Sequence, residues 1–269
     1  MEAISEVLKD SKKIVVKIGS NVLSNNDGAV NKEIMHNIVE QVSEMIELGK
    51  QVIIVSSGAG ICGVGAINKW SRRGDMNYKQ ALCAIGQVEL MMAYKEFFWD
   101  CGLHVGQILL TRDDFSNDQR TLHIRNTLFT MVDEGVIPII NENDSVSVEE
   151  IKIGDNDTLS ALTANLWNAD VLVCLSDIDG VFDRDPKGNP GAELIEEVYD
   201  IDGLMDEIDM RGKSAFGVGG IVTKIEAARK AGEYYIPTIL LNGKRKDVLR
   251  NALDGEERGT VFFWSDRNR

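Results

Sequence analysis

Long apolar runs are missing from this sequence. No stretch of about 18 apolar residues occurs, the length a membrane-spanning helix requires, and residues 1–13, MEAISEVLKDSKK, carry no apolar signal core. Positive charge is scarce too. Against 43 Asp and Glu stand 29 Lys and Arg, a formal net charge of −14, which argues against nonspecific binding to nucleic acid or to an anionic membrane. Lysines that meet an anionic ligand must then be local exceptions. The four cysteines, Cys62, Cys83, Cys101 and Cys174, form no C-x-x-C pair, and Cys174 lies inside an apolar strand. They read as buried free thiols in a reducing compartment, so a cytoplasmic protein is expected. No G-x-x-x-x-G-K-[ST] segment is present, which excludes a P-loop enzyme. No G-x-G-x-x-G follows the first strand, which disfavours a dinucleotide-binding Rossmann domain. Only four prolines occur, with no low-complexity stretch and no clear repeat.

What remains is a globular composition, 43% hydrophobic and 27% charged, in 269 residues, enough for one large domain or two small ones. Strands are expected at 14–18, 51–55, 104–110, 136–140, 171–175 and 237–241, with a last strand at 260–263 closing the sheet. Helices are expected at 32–48, 79–100, 118–134, 158–168 and from about Gly220 to Ala231. In the helix over 79–100, the spacing places Leu82, Ile85, Val88 and Met92 inward. Strands with continuous apolar cores alternating with helices predict an α/β fold, a parallel sheet covered on both faces. Residues 145–153 alternate apolar and polar and suggest a small hairpin.

Residues 141–164 hold two short acidic-amide clusters, Asn141 to Asp144 and Asp155 to Asp157. One follows a buried strand and the other precedes a helix, where such groups can hold a small polar ligand or simply serve as turn and cap residues. Three strand ends lead into glycine-bearing turns: Gly19-Ser20, Ser57-Gly58-Ala59-Gly60, and Gly217-Val218-Gly219-Gly220 before a helix. Glycine lets backbone amides approach phosphate oxygens, although any one of them could be an ordinary tight turn. Lys17 interrupts an apolar strand and should either meet an anion or snorkel from the strand end. Lys224, four residues past Gly220, either reinforces an anion site at a helix N-terminus or faces solvent. Asp157 could sit between these lysines, cap the following helix, or do both.

Together the segments VVKIGSNVLS (15–24), VIIVSSGA (52–59), HVGQILLTRDD (104–114), VIPIINENDSVS (136–147), EIKIGDNDTLSA (150–161), LSDIDGVFDRDP (175–186) and GVGGIVTKIEAA (217–228) resemble the amino acid kinase family over nearly the whole chain. The NENDSV and IKIGDND segments are similar to those of the glutamate-phosphorylating branch rather than acetylglutamate kinase, aspartokinase or uridylate kinase. The resemblance implies a three-layer α/β/α sandwich with a mainly parallel sheet, an N-terminal lobe (about 1–157) for the acceptor and a C-terminal lobe (about 158–269) for ATP. It implies phosphoryl transfer from ATP, with Mg²⁺ carried on its phosphates, to the γ-carboxylate of L-glutamate, giving L-glutamyl 5-phosphate for proline synthesis. Lys17, Lys224 and Asp157 match the family's catalytic lysines and the aspartate that holds them. Ser57, Asn141, Asp144 and Asn156 match glutamate-binding residues. Ser176, Asp177 and Val218, Gly219, Gly220, Ile221, Val222, Thr223 and Lys224 match nucleotide-binding segments, and Gly19 and Gly58 match glycines whose amides face the phosphoryl group. Val218 stands where the family usually has threonine. The resemblance also implies a homo-oligomer, proline as feedback inhibitor, coupling to glutamyl phosphate reductase, and no nucleic-acid partner. The C-terminal PUA domain of many members is expected to be absent, since the sequence ends at Arg269. A relative acting on another small carboxylate or phosphate, and a catalytically silent sensor on the same fold, are the alternatives. Retention of Lys17, Asp157 and Lys224 together argues against the silent one.

Overall fold

A computed structural model of the chain describes residues 1–25, 30–68, 75–146, 156–211 and 220–264. Its centre is an eight-stranded sheet formed by β1 (Lys13–Ile18), β2 (Gln51–Ser56), β3 (His104–Leu110), β4 (Val136–Glu142), β5 (Val171–Ser176), β8 (Glu197–Val198), β9 (Thr238–Asn242) and β10 (Thr260–Phe262). The spatial order is β3-β4-β2-β1-β5-β9-β10-β8. All pairings are parallel except β10 with β9. The expected last strand therefore does not close the sheet. β10 lies one place in from the edge, and the two-residue β8 pairs outside it, a strand too short to carry a periodicity signal.

Side chains of a strand alternate between faces, and here both faces are buried. Ile14, Val16 and Ile18 of β1, with Ile54, Val173 and Ile239, join one core beneath α1 (Glu2–Asp10), α2 (Lys32–Glu47), α4 (Met76–Asp100) and α10 (Val248–Asp254). Val15, with Val55, Leu172, Cys174 and Leu240, joins the other, beneath α7 (Asn156–Trp167) and α9 (Ile221–Gly232). The result is the expected three-layer α/β/α sandwich. Besides α3, described next, the other elements among the described residues are the short α5 (Arg112–Phe115), α6 (Asp118–Asp133), α8 (Ile201–Arg211) and the hairpin β6 (Val181–Phe182) with β7 (Leu194–Ile195).

α3 (Ala59–Ile67) has no counterpart among the expected helices, and it reverses the face of α4. Gly63 and Gly86 touch so closely that a Cβ on Gly86 would lie 1.8 Å from the Ala59 carbonyl oxygen. α4 accordingly buries Leu82, Gly86, Gln87, Leu90, Ala93, Tyr94 and Phe98. Ile85, Val88 and Met92 are 38%, 58% and 60% exposed, contrary to the inward face expected from their spacing. The helix is apolar on two sides, and only the small-residue surface that receives α3 decides which side is covered.

The chain leaves β1 toward β2 on one side and returns to β5 on the other, so β1 is the switch point of the sheet. Open parallel sheets bind ligands beyond the strand C-termini at such a point.

Candidate active site

Lys17 shares the face of β1 that carries Val15, and parallel register sets it beside Val55 and Cys174. It therefore points into the layer occupied by α7. Asp157 is the second residue of that helix. α7 already includes Asn156, so Asp157 lies within the first turn and does not cap it, correcting the cap expectation. One carboxylate oxygen, Oδ1, pairs with Lys17 Nζ. The other, Oδ2, accepts from Lys224 Nζ at 3.2 Å and from Thr223 Oγ1 at 2.7 Å. Lys224 Nζ also donates to the Gly220 carbonyl at 3.1 Å. Lys17, Asp157 and Lys224 are 3%, 0% and 12% exposed. Lys17 is thus an ion-paired buried lysine rather than a snorkelling one. Two ammonium groups around one carboxylate leave a net positive charge in a dry setting, where electrostatic attraction for an anion is strong.

This charge forms the floor of a cavity of 190 Å³ lined by Lys17, Gly19, Asn21, Ser57, Asp177 and Lys224, among others. Asn21 Nδ2 donates to Asp177 Oδ2 at 3.0 Å across the mouth of β1 and β5. Ser176 Oγ lies 3.4 Å from Asp177 Oδ1. A second cavity of 190 Å³ adjoins it at Asp177 and Ile178, with Val181, Phe182, Pro186 and Ile221 as an apolar lining. A third, of 220 Å³, opens above β3 and β4 and is lined by Cys83, Gln87, Gln107, Glu142 and Asp144, among others. Among the described residues no histidine lines any of the three.

Between the first and third cavities stand Ser57, Asn141 and Asn156. Asn156 Nδ2 lies 2.8 Å from Ser57 Oγ and 3.0 Å from Asn141 Oδ1. Asn141 Nδ2 donates to Gln87 Oε1 at 2.8 Å. Three of the four residues expected to bind the acceptor are thereby one hydrogen-bonded group, and the fourth, Asp144, lies in the neighbouring third cavity. β2 reaches this point through Gly58, whose φ of 110° is open to glycine, and turns at once into α3.

The expected nucleotide residues divide. Gly220 and Lys224 line the first cavity and Ile221 the second. Val222 is packed into the core, and Thr223 is engaged with Asp157. The Gly19 amide donates to the Leu175 carbonyl at 3.1 Å, so in this structure Gly19 contributes space rather than a free N–H. Val218 and Gly219 lie outside the described residues, as does most of the expected hairpin, of which Ser145 and Val146 are seen in a turn. Asn21 and Gln87 were not singled out in the sequence. Asn21 follows directly on the KIGS segment. Gln87 is a polar residue on the buried face of α4, a signal that emerges only once that face is known.

The model of the amino acid kinase family matches residues 12–242. The glutamate 5-kinase of Alkaliphilus oremlandii (strain OhILAs) is 58% identical over 260 residues, covering 97% of this chain and 99% of that protein. The glutamate 5-kinase of Alkaliphilus metalliredigens (strain QYMF) is 58% identical over 259 residues, covering 96% and 98%. Among solved structures, an isopentenyl phosphate kinase superposes with a TM-score of 0.65 at 18% identity, over 93% of this chain and 99% of that one, a likeness of fold.

Proposed function

The chain belongs to the amino acid kinase family, and on that premise we propose that it transfers the γ-phosphoryl group of ATP to the γ-carboxylate of L-glutamate, forming L-glutamyl 5-phosphate, the opening step of proline synthesis. The relatives at 58% identity support the acceptor. The observation that carries the reaction type is the Asp157 carboxylate held between Lys17 and Lys224 beneath a cavity that lies between an amide-lined side and an apolar one.

A carboxylate acceptor is already ionised at neutral pH, so the reaction requires no general base. The obstacle is bringing one anion against another. Lys17 and Lys224 approach the transferring group from two elements and offset its charge, and Asp157, itself bonded by Thr223, holds them so that little reorganisation is left for the reacting state. Ser57, Asn141, Asn156 and Asp144 would hold glutamate, with Asp144 near its ammonium group. Ser176, Asp177 and the start of α9 would hold the nucleotide, its base resting in the apolar second cavity. Mg²⁺ on the ATP phosphates would supply further charge neutralisation. Asp177, which lines the first and second cavities, would lie near that ion.

On this reading the glutamate-holding residues fall at or before residue 157 and, apart from Lys17, Gly19 and Gly58 at the phosphoryl group, the nucleotide-holding residues fall after it, so the N-terminal lobe takes the acceptor and the C-terminal lobe ATP. The family resemblance further supports a homo-oligomer, inhibition by proline and a reductase that consumes the labile acyl phosphate. Gel filtration and a proline titration test the first two. Among the described residues no helix is long and apolar enough to cross a membrane, and we assign the protein to the cytoplasm.

The decisive assay incubates the protein with MgATP, hydroxylamine and either glutamate, N-acetylglutamate or aspartate. Hydroxamate dependent on glutamate is expected, and its absence would sink the proposal.

A further inference from the structure

The hydrogen bonds through four side-chain amides have a direction, and a backbone group bonded to one of the inner amides admits only one polarity. The Glu142 N–H can only donate, so the Asn141 atom 2.9 Å from it is Oδ1. Nδ2 of Asn141 therefore faces Gln87, and the Gln87 atom that meets it at 2.8 Å is the acceptor Oε1. Gln87 Nε2 is left to donate to Gln107 Oε1 at 3.3 Å. In the other direction Asn141 Oδ1 also receives Asn156 Nδ2 at 3.0 Å. The same Nδ2 faces the Ser56 carbonyl at 3.4 Å, which can only accept. Asn156 Oδ1 is thereby turned away from the series. It is buried and finds no hydrogen-bond partner among the described residues.

A buried acceptor without a donor is costly, and a ligand that brings a donor relieves that cost. Resting on the glutamate reading above, in which Asn156 meets the acceptor, we propose that Gln87 is a positioning residue which, through Asn141, fixes the orientation of the Asn156 amide so that the substrate meets its unpaired Oδ1, and so selects a substrate with a free ammonium group. An ammonium offers three donors and no acceptor. An acceptor lacking the amino group, such as glutarate, leaves Asn156 Oδ1 as it stands.

Gln87 is 8% exposed, on the buried face of α4. Replacing it by an apolar residue leaves Asn141 Nδ2 as a buried donor with no acceptor. Asn141 can then find new partners only by giving up its bonds to Glu142 and Asn156, which releases the orientation of Asn156. Glutamate at position 87 keeps an oxygen facing Asn141 and should preserve the polarity.

The test compares wild type, Gln87→Leu and Gln87→Glu for glutamate and glutarate in the hydroxamate assay, with melting curves to confirm folding. Gln87→Leu should raise KM for glutamate on the order of tenfold, as expected for a buried hydrogen-bond partner lost, with KM for ATP unchanged. Its kcat/KM preference for glutamate over glutarate should fall by a similar factor. Gln87→Glu should keep the wild-type preference. A purely structural role would lower activity on both acceptors alike and leave the preference intact, overturning the proposal, and so would a loss of preference in Gln87→Glu equal to that in Gln87→Leu. If Gln87→Leu does not fold, Gln87→Met carries the same comparison. If the wild type makes no hydroxamate from glutamate, the functional reading fails on its own. Calorimetric Kd values for glutamate and glutarate then replace KM, and equal binding of the two by wild type overturns the role of Gln87.

Discussion

Asp157 and Lys224 lie 67 positions apart, yet the Asp157 carboxylate places Lys224 Nζ 3.2 Å from one oxygen and leaves the other to Lys17. With both Lys17 and Asp157 buried, neither charge has water to fall back on. Removing one partner of a buried pair leaves the other uncompensated, at about 3–5 kcal/mol. Asp157→Ala should therefore lower stability to chemical denaturation by that order as well as abolish activity. A variant as stable as wild type would contradict the arrangement.

Lys224 is the less buried of the two lysines, and its removal leaves the Lys17–Asp157 pair intact. Lys224→Ala should fold normally and lose kcat on the order of 10²–10⁴, the scale of a charge that acts in the transition state. An unchanged kcat in a folded variant would refute that role.

Asp144 lines the cavity above β3 and β4 and takes no part in the lining of the apolar second cavity. Asp144→Ala should chiefly raise KM for glutamate. A defect confined to the KM for ATP would contradict the assignment of acceptor and nucleotide sides.

Gly86 admits no side chain, since its Cβ would meet the Ala59 carbonyl oxygen at 1.8 Å and the Gly63 nitrogen at 2.1 Å. Gly86→Ala must move α3, whose first residues follow directly on Ser57 and Gly58. Destabilisation of about 1–3 kcal/mol is expected, as for other overpacked contacts, together with a raised KM for glutamate. Both can be read from one purified variant.

Burial pushes the Cys62 thiol up to about 12 and also raises the Tyr94 phenol, against the opposing hydrogen bond from Ser56. Each group is protonated in the folded state at a pH where the unfolded chain has released its proton. Their contribution to stability is complete below about pH 9, the ordinary value for a thiol, and is lost as pH rises toward 12. Urea unfolding at pH 8 and at pH 10.5 should show the drop, and Cys62→Ala should lessen it.

The strands that carry Lys17, Asn141 and Ser176 were legible because an apolar run bounded by polar turns marks a doubly covered strand whatever its neighbours are. The alternation along β1 even contains the face of Lys17. The face of α4 was not legible. Leu82, Ile85, Val88 and Met92 satisfy helical spacing as well as Leu82, Gly86, Leu90 and Ala93 do, and the choice between them depends on α3, an unexpected helix with Gly60, Gly63 and Gly65 among its nine residues. Gln87 was missed for the same reason. Asp157 was suspected as a helix cap because its neighbours are turn-forming residues, whereas the helix begins one residue earlier.

The sequence by itself determined seven of the sheet's eight strands, its two covered faces and the residue types that a phosphoryl-transfer site requires, because these follow from local periodicity and from side-chain chemistry. The tertiary structure alone decided which of those residues meet. Lys17, Asp157 and Lys224 stand on three separate elements, Gln107, Gln87, Asn141 and Asn156 on four, and Ser57 in the turn after β2. Their association depends on strand order and on a helix contact with no room for a Cβ. Both are properties of long-range packing that no short window of sequence contains.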